Sequence, residues 1–148
     1  MGDLDLTSAL AKHINLVNLA LLVAGRKVSP AEGLPYNPVY FHLLRVLGGQ
    51  GPQRPSHLAE GLGVPRTSLS ATVKAMKGKV LITSEPDPED GRAMVLLLTE
   101  AGRSALDAIE AQDMQNAEAI LACLEPGERA PFVEALGKVG AGLSGAVQ

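Results

Sequence analysis

Arg92 closes a short charged stretch, Ser84-Glu85-Pro86-Asp87-Pro88-Glu89-Asp90-Gly91-Arg92. Upstream, Arg66, Thr67, Ser68, Ser70, Lys74 and Lys77 crowd into one segment. Guanidinium and ammonium groups pair with phosphate oxygens, and short hydroxyl side chains can reach base edges. An arginine on a projecting tip suits a minor groove, whose negative potential attracts it. Residues two apart on an extended strand share a face, so Asp90 is expected to hold the Arg92 guanidinium in place. Together these groups spell nucleic-acid chemistry. Taken alone, the hydroxyl cluster and the two lysines also fit a solvated helix face, and the tip fits a surface turn.

Other chemistries find less support. His13, His42 and His57 have no metal-ligand spacing among themselves or with Cys123. No phosphate-cradling glycine motif follows a strand. Asp87, Glu89 and Asp90 lack the ligand positions of a calcium loop. No catalytic residue, cofactor or metal is therefore expected, and the chain reads as a non-enzyme.

The elements that would carry the basic groups follow from periodicity. Pro55 to Val64 reads as a short helix with Leu58, Ala59 and Leu62 on one face and Ser56 as N-cap. Gly63 supplies the turn, and Pro65 opens a second helix whose Leu69, Val73 and Met76 point inward. Short helix, glycine turn and second helix is helix-turn-helix spacing. The apolar runs Val80-Leu81-Ile82 and Met94 to Leu98 bracket the charged tip as a β-hairpin.

Around this centre, further helices are expected. The first runs from about Leu6 to Val28, and the second starts at Asn37-Pro38 and stops at Gly48-Gly49. Thr99 caps a long helix reaching about Leu124. Pro126-Gly127 breaks the chain before a last helix from about Glu128 to Val139. The outer helices carry more apolar residues than one small winged helix needs, which implies a partner, most simply a second copy.

Composition agrees with this outline. The chain has 148 residues, a net charge of −3 and one cysteine. One domain with helical extensions is expected, over an aliphatic core. The charge is unevenly spread. Between Arg54 and Lys79 the basic residues are Arg54, Arg66, Lys74, Lys77 and Lys79, against Glu60 alone, whereas acids dominate from Glu100 onward. The apolar run Ile14 to Ala24 lacks a basic start, is interrupted by Asn15 and Asn18, and is too short to span a bilayer. A buried helix is expected there instead, in a soluble cytoplasmic protein with no membrane partner.

At this point the residues resemble a known family. Leu58-Ala59-Glu60-Gly61-Leu62-Gly63-Val64, the Ser/Thr-rich helix after it, the Asp-Pro-Glu-Asp-Gly-Arg tip and Leu98-Thr99-Glu100-Ala101-Gly102 look like the MarR (multiple antibiotic resistance regulator) family, in order and spacing. The specific match covers about Pro55 to Arg103. The resemblance implies a mainly α fold with a small β-hairpin. In it a winged helix-turn-helix over residues 35–99 is flanked by helical dimerisation regions, 1–34 and 100–148. It implies a homodimeric transcriptional regulator, a repressor on a pseudo-palindromic double-stranded DNA operator, released by a small aromatic or lipophilic effector. Arg66, Thr67, Ser68, Ser70, Lys74, Lys77 and Arg92 would contact DNA, with Asp90 supporting the wing. By the same analogy His13, Tyr36, Tyr40, Phe41 and His42 would line an effector pocket. Redox-sensing relatives carry their cysteine near the N-terminus, so Cys123 does not match them.

The chain departs from the family pattern at several positions. Ala71 and Ala75 stand where longer polar or basic residues are common. Thr83-Ser84-Glu85 replaces a basic stretch, Gly91 precedes Arg92 where a second arginine is frequent, and Val80 sits where glycine is usual. Fewer positive charges imply weaker phosphate attraction and a shallower salt dependence. The other reading is a winged-helix protein-interaction or ligand-binding dimer that has lost DNA binding.

Overall fold

A computed structural model of the chain describes residues 2–25 and 37–146. It is mainly helical with one hairpin. The order is α1 (Asp3–Gly25), α2 (Pro38–Gln50), α3 (Pro55–Leu62), α4 (Arg66–Gly78), β1 (Ile82–Pro86), β2 (Met94–Leu98), α5 (Glu100–Ala122) and α6 (Pro126–Ala146). The strands pair antiparallel, Ile82 opposite Leu98 and Pro86 opposite Met94. Gln53 adds a single bridge on the far side of β2, exchanging both backbone hydrogen bonds with Leu96 at 3.0 and 2.8 Å.

One aliphatic core joins these pieces. Phe41, Leu43, Leu44 and Leu47 of α2 meet Leu58, Leu69, Met76, Leu81, Leu96, Leu106 and Ile109. As expected, Leu69 and Met76 are buried and Val73 is half-buried. Burying each such side chain is worth about 1.5–3 kcal/mol, so this core fixes how α4 stands against the hairpin. It ends at the first half of α5. Beyond it, every described residue from Pro126 to Gly145 of α6 is exposed, as is most of α1. The run Ile14 to Ala24 is therefore not the buried helix expected: in the single chain, among the described residues, only the cleft beside α2 and α5 lies against it.

Several boundaries differ from expectation. α2 runs through Gly48-Gly49 to Gln50. Gly48 lies where α2 crosses α5, and a methyl group there would strike Leu106. It is a close-approach residue and not a stop. α3 begins at Pro55 with Arg54 at its N-cap, so Ser56 falls inside the first turn. The break before the last helix falls at residues 123–125, and Pro126 already opens α6: the Glu128 carboxylate accepts from the Glu125 backbone N–H at 3.0 Å, one arm of a capping box. α6 then continues past Val139, through Pro131 and its glycines. α1 is one continuous helix from Asp3, longer than the apolar run Ile14 to Ala24. By length and composition alone it is long enough to cross a membrane, contrary to the expectation of a segment too short to do so. The expected end of this helix at Val28, and Tyr36, lie outside the described residues.

Two helix ends in the centre close in the same way. At the end of α3, Gly63 N–H donates to the Glu60 carbonyl and Val64 N–H to that of Ala59, both at 3.1 Å. At the end of α4, Val80 N–H donates to Lys77 at 2.9 Å and Leu81 N–H to Met76 at 3.0 Å. The closing residue is left-handed each time, φ +63° at Gly63 and φ +59° at Val80. Glycine takes this region freely, whereas a β-branched residue is strained in it.

Candidate nucleic-acid interface

α4 carries Leu69 and Met76 into the core and leaves Arg66, Thr67, Ser68, Ser70, Lys74 and Lys77 exposed. These six do not share one face. Arg66, Ser70, Lys74 and Lys77 line an open groove of about 500 Å³ between α4 and the hairpin, together with Leu69, Val73, Ser84, Met94 and Leu96. Thr67 and Ser68 are not among the groove's lining residues. No acidic residue lines the groove. The hydroxyl of Ser70 donates to the Arg66 carbonyl at 2.8 Å, so its oxygen remains an acceptor. The Lys77 ammonium donates to the Ser84 hydroxyl and ties α4 to β1.

The junction behind the hairpin is tight. Thr99 caps α5, accepting from Gly102 N–H at 3.0 Å, and its own hydroxyl donates to the Val80 carbonyl. Thr99 N–H donates to Leu81 O at 3.1 Å. A methyl group at Gly102 would collide with that same Leu81 carbonyl. The first turn of α5 therefore sits directly on the corner between α4 and β1.

The wing tip is built differently from expectation. Residues 87–93 form a turn and not an extended strand, so the strand rule relating Asp90 to Arg92 does not apply. The Asp90 carboxylate accepts from the backbone N–H of Arg92, at 3.1 Å. The guanidinium it faces is that of Arg54, at 3.9 Å, and among the described residues no ion pair joins it to the Arg92 side chain. Arg54 donates its Nε–H to Asp87 Oδ2 at 2.6 Å. The other Asp87 oxygen accepts from Glu89 N–H at 2.9 Å. That backbone bond first, and Arg54 second, hold the Asp87 carboxyl below the usual carboxylate range, and Asp87 in turn raises the Arg54 guanidinium above its ordinary value. Asp87 is only 9% exposed, while Arg92 projects into solvent.

A second open cleft, of about 600 Å³, lies between α1, α2 and α5. Leu21, Leu22, Phe41, Ile109, Ala117 and Ile120 give it apolar walls. Arg45 and Asp113 stand at its edge, joined by paired hydrogen bonds of 2.8–3.0 Å. Of the side chains expected in an effector pocket, Phe41 lines this cleft. Tyr40 is buried in the core, and His13 and His42 are exposed and not among the lining residues. Among the described residues no group of His, Cys, Asp or Glu could hold a metal ion.

Arg54 and Arg45 carry more of this geometry than sequence reasoning assigned to them. Arg54 counted as one charge in a basic stretch, and Arg45 was hidden within an apolar helix. Their partners lie 33 and 68 residues away, where no local spacing relates them.

Residues 33–93 match the family model described as "MarR family". The chain is 30% identical over 101 residues to the HTH-type transcriptional repressor NicR of Pseudomonas putida, covering 68% of this chain and 64% of that protein. It spans under two thirds of the length of the first relatives that it matches. Its fold superposes on the transcriptional regulator Tm0710 of Thermotoga maritima with a TM-score of 0.64 at 25% identity, covering 90% and 93% of the two chains. It also superposes on Bordetella bronchiseptica BpsR, whose DNA binding is regulated by 6-hydroxynicotinic acid, with a TM-score of 0.67 at 19% identity, covering 89% and 98%.

Proposed function

Because the chain belongs to the MarR family of transcriptional regulators, we propose that it works as a homodimeric repressor whose α4 enters a major groove while Arg92 enters the neighbouring minor groove. A winged helix-turn-helix of this family is a DNA-binding regulator and not an enzyme. One observation carries the finer reading. Arg66, Ser70, Lys74 and Lys77 line one acid-free groove of α4, and the hairpin beside it lifts Arg92 into solvent. Arg66 and the hydroxyls stand at the N-terminal end of α4, where a recognition helix meets base edges. Lys74 and Lys77 lie further along, suited to phosphates. Two such units would read two half-sites of a pseudo-palindrome.

The dimer reading is supported by α1 and α6. Leu6, Leu10, Ile14, Val17, Phe132, Val133, Leu136 and Val139 are all exposed in the single chain. The cleft beside Arg45 supports release by a small effector. Its apolar walls suit an aromatic ring, and a carboxylate could exchange with Asp113 for the guanidinium. An aromatic carboxylate such as 6-hydroxynicotinic acid is the first compound to titrate.

The test is a mobility-shift titration on duplexes from the gene's own upstream region, at several salt concentrations. Arg92→Ala should weaken binding about tenfold. Arg66→Ala should do the same and relax sequence preference. Equal affinity of wild type and Arg92→Ala would remove the wing from the interface. No salt-dependent binding at all, with a stable protein complex in its place, would favour the adaptor reading that the exposed acids Glu85 and Glu89 allow.

A further inference from the structure

We propose that Arg54 is a positioning residue for DNA binding, which fixes where Arg92 stands relative to α4; the inference rests on the DNA-facing reading of the wing given above. Two antiparallel strands alone make a marginal structure whose tip is free to swing. Here the tip is tied down from outside the hairpin. Arg54 Nε–H meets Asp87 Oδ2 at 2.6 Å, and its Nη2 lies 3.9 Å from Asp90 Oδ2. Those two carboxylates organise the loop. Asp87 holds the Glu89 N–H, and Asp90 holds the N–H of Arg92 itself. The Asp90 carbonyl then takes the Ala93 N–H at 2.9 Å.

The other end of the tether is equally defined. Arg54 is the N-cap residue of α3, and its neighbour Gln53 is bonded to Leu96 of β2 through both backbone groups. α3 in turn packs on α4. A continuous line of contacts therefore runs from the base of Arg92, through Asp90, Arg54 and α3, to the recognition helix. The guanidinium fork spans two carboxylates, which a lysine ammonium does not reproduce. It also offsets the acids of the tip, Glu89 included, that would otherwise repel phosphate. Arg54 itself is turned inward to Asp87 and is not the group that projects.

The experiment is a thermodynamic cycle. A duplex is selected from a random library with the wild-type protein, and its affinity is measured for wild type, Arg54→Gln, Arg92→Ala and the double variant. Arg92→Ala should lose about tenfold. Arg54→Gln should lose a similar factor, Arg54→Lys less. The double variant should bind within about twofold of Arg92→Ala alone, because the two act through one contact. Backbone amide exchange at Arg92 and Ala93 should quicken in Arg54→Gln without DNA present. Should Arg54→Gln fail to fold, Asp87→Asn breaks the same pair from the other side and retains an acceptor for Glu89 N–H.

Unchanged amide exchange in Arg54→Gln overturns the positioning role. Losses that multiply in the double variant overturn it too, making Arg54 an independent contact. Unchanged affinity of Arg92→Ala, or failure to select any duplex, overturns the reading of the wing itself, and with it the functional part of the proposal.

Discussion

Val80 and Gly102 meet at one corner and bear on it in opposite senses. Val80 holds φ +59° to close α4, the conformation that Gly63 adopts to close α3. A β-branched side chain there costs about 1–2 kcal/mol, and at 64% exposure Val80 recovers little by packing. Glycine at the same place gives back about 0.5–1 kcal/mol of that through its freer unfolded chain. Val80→Gly should therefore raise stability by about 0.5–1 kcal/mol, seen as a higher urea midpoint with an unchanged slope. A lower midpoint would show that the strain is not there. Gly102→Ala should act in the opposite sense, by about 2 kcal/mol or more, because its methyl group meets a backbone carbonyl that has nowhere to go.

At the scale of the element, the wing is a hairpin whose tip depends on one carboxylate. The folded Asp87 carboxyl ionises below the usual carboxylate range, held by the Glu89 N–H and Arg54. Its ionised form is thus favoured in the folded state. The stability it adds is complete above about pH 4 and is lost as pH falls through the folded value. Wild type should lose more stability between pH 6 and pH 2.5 than Asp87→Asn does, in paired urea titrations. Parallel losses in the two proteins would remove Asp87 from the account. The tether also bears on the acidity of the stretch: Asp87 is buried against Arg54, and the more exposed Asp90 faces the same guanidinium, whereas Glu85 and Glu89 are exposed outside these ion pairs.

For the whole molecule, the single chain leaves two long helices largely uncovered. The core ends within α5, and α1 and α6 hold Ile14, Val17, Phe132 and Leu136 out to solvent. Exposed apolar surface on this scale is what the proposed dimer would cover. In the dimer proposed above, Ile14→Glu and Leu136→Glu would each bury unpaired charges. That should weaken self-association at least a hundredfold, measured by sedimentation equilibrium. The winged helix core should keep its helical signal, and DNA affinity should fall with the dimer. A chain that sediments as a monomer before any substitution would end the dimer reading.

How much of this was legible in the sequence follows from the range of each interaction. The helix, glycine turn, helix and hairpin could be read along the chain because periodicity, Gly63, Pro65 and Thr99 act over a few residues. The charge asymmetry, and the solvent-facing side chains of α4, follow from the same local pattern. The length of α6 was not legible, since Pro126 looks like a breaker until Glu128 is seen capping the start, and Gly140 and Gly142 look like an end that the helix in fact runs through. Gly48 looked like a stop until α5 was seen lying against it. The partners of Asp90 were not legible because residues 87–93 turn, so the alternation of an extended strand does not relate Asp90 to the Arg92 side chain. What the sequence determined by itself is the order of elements and the chemistry that they carry. Which arginine steadies the wing, and which residues wall the cleft, was decided only by the tertiary structure. Arg54 meets Asp87, and Arg45 meets Asp113, across distances in the chain that only the packing of the core closes.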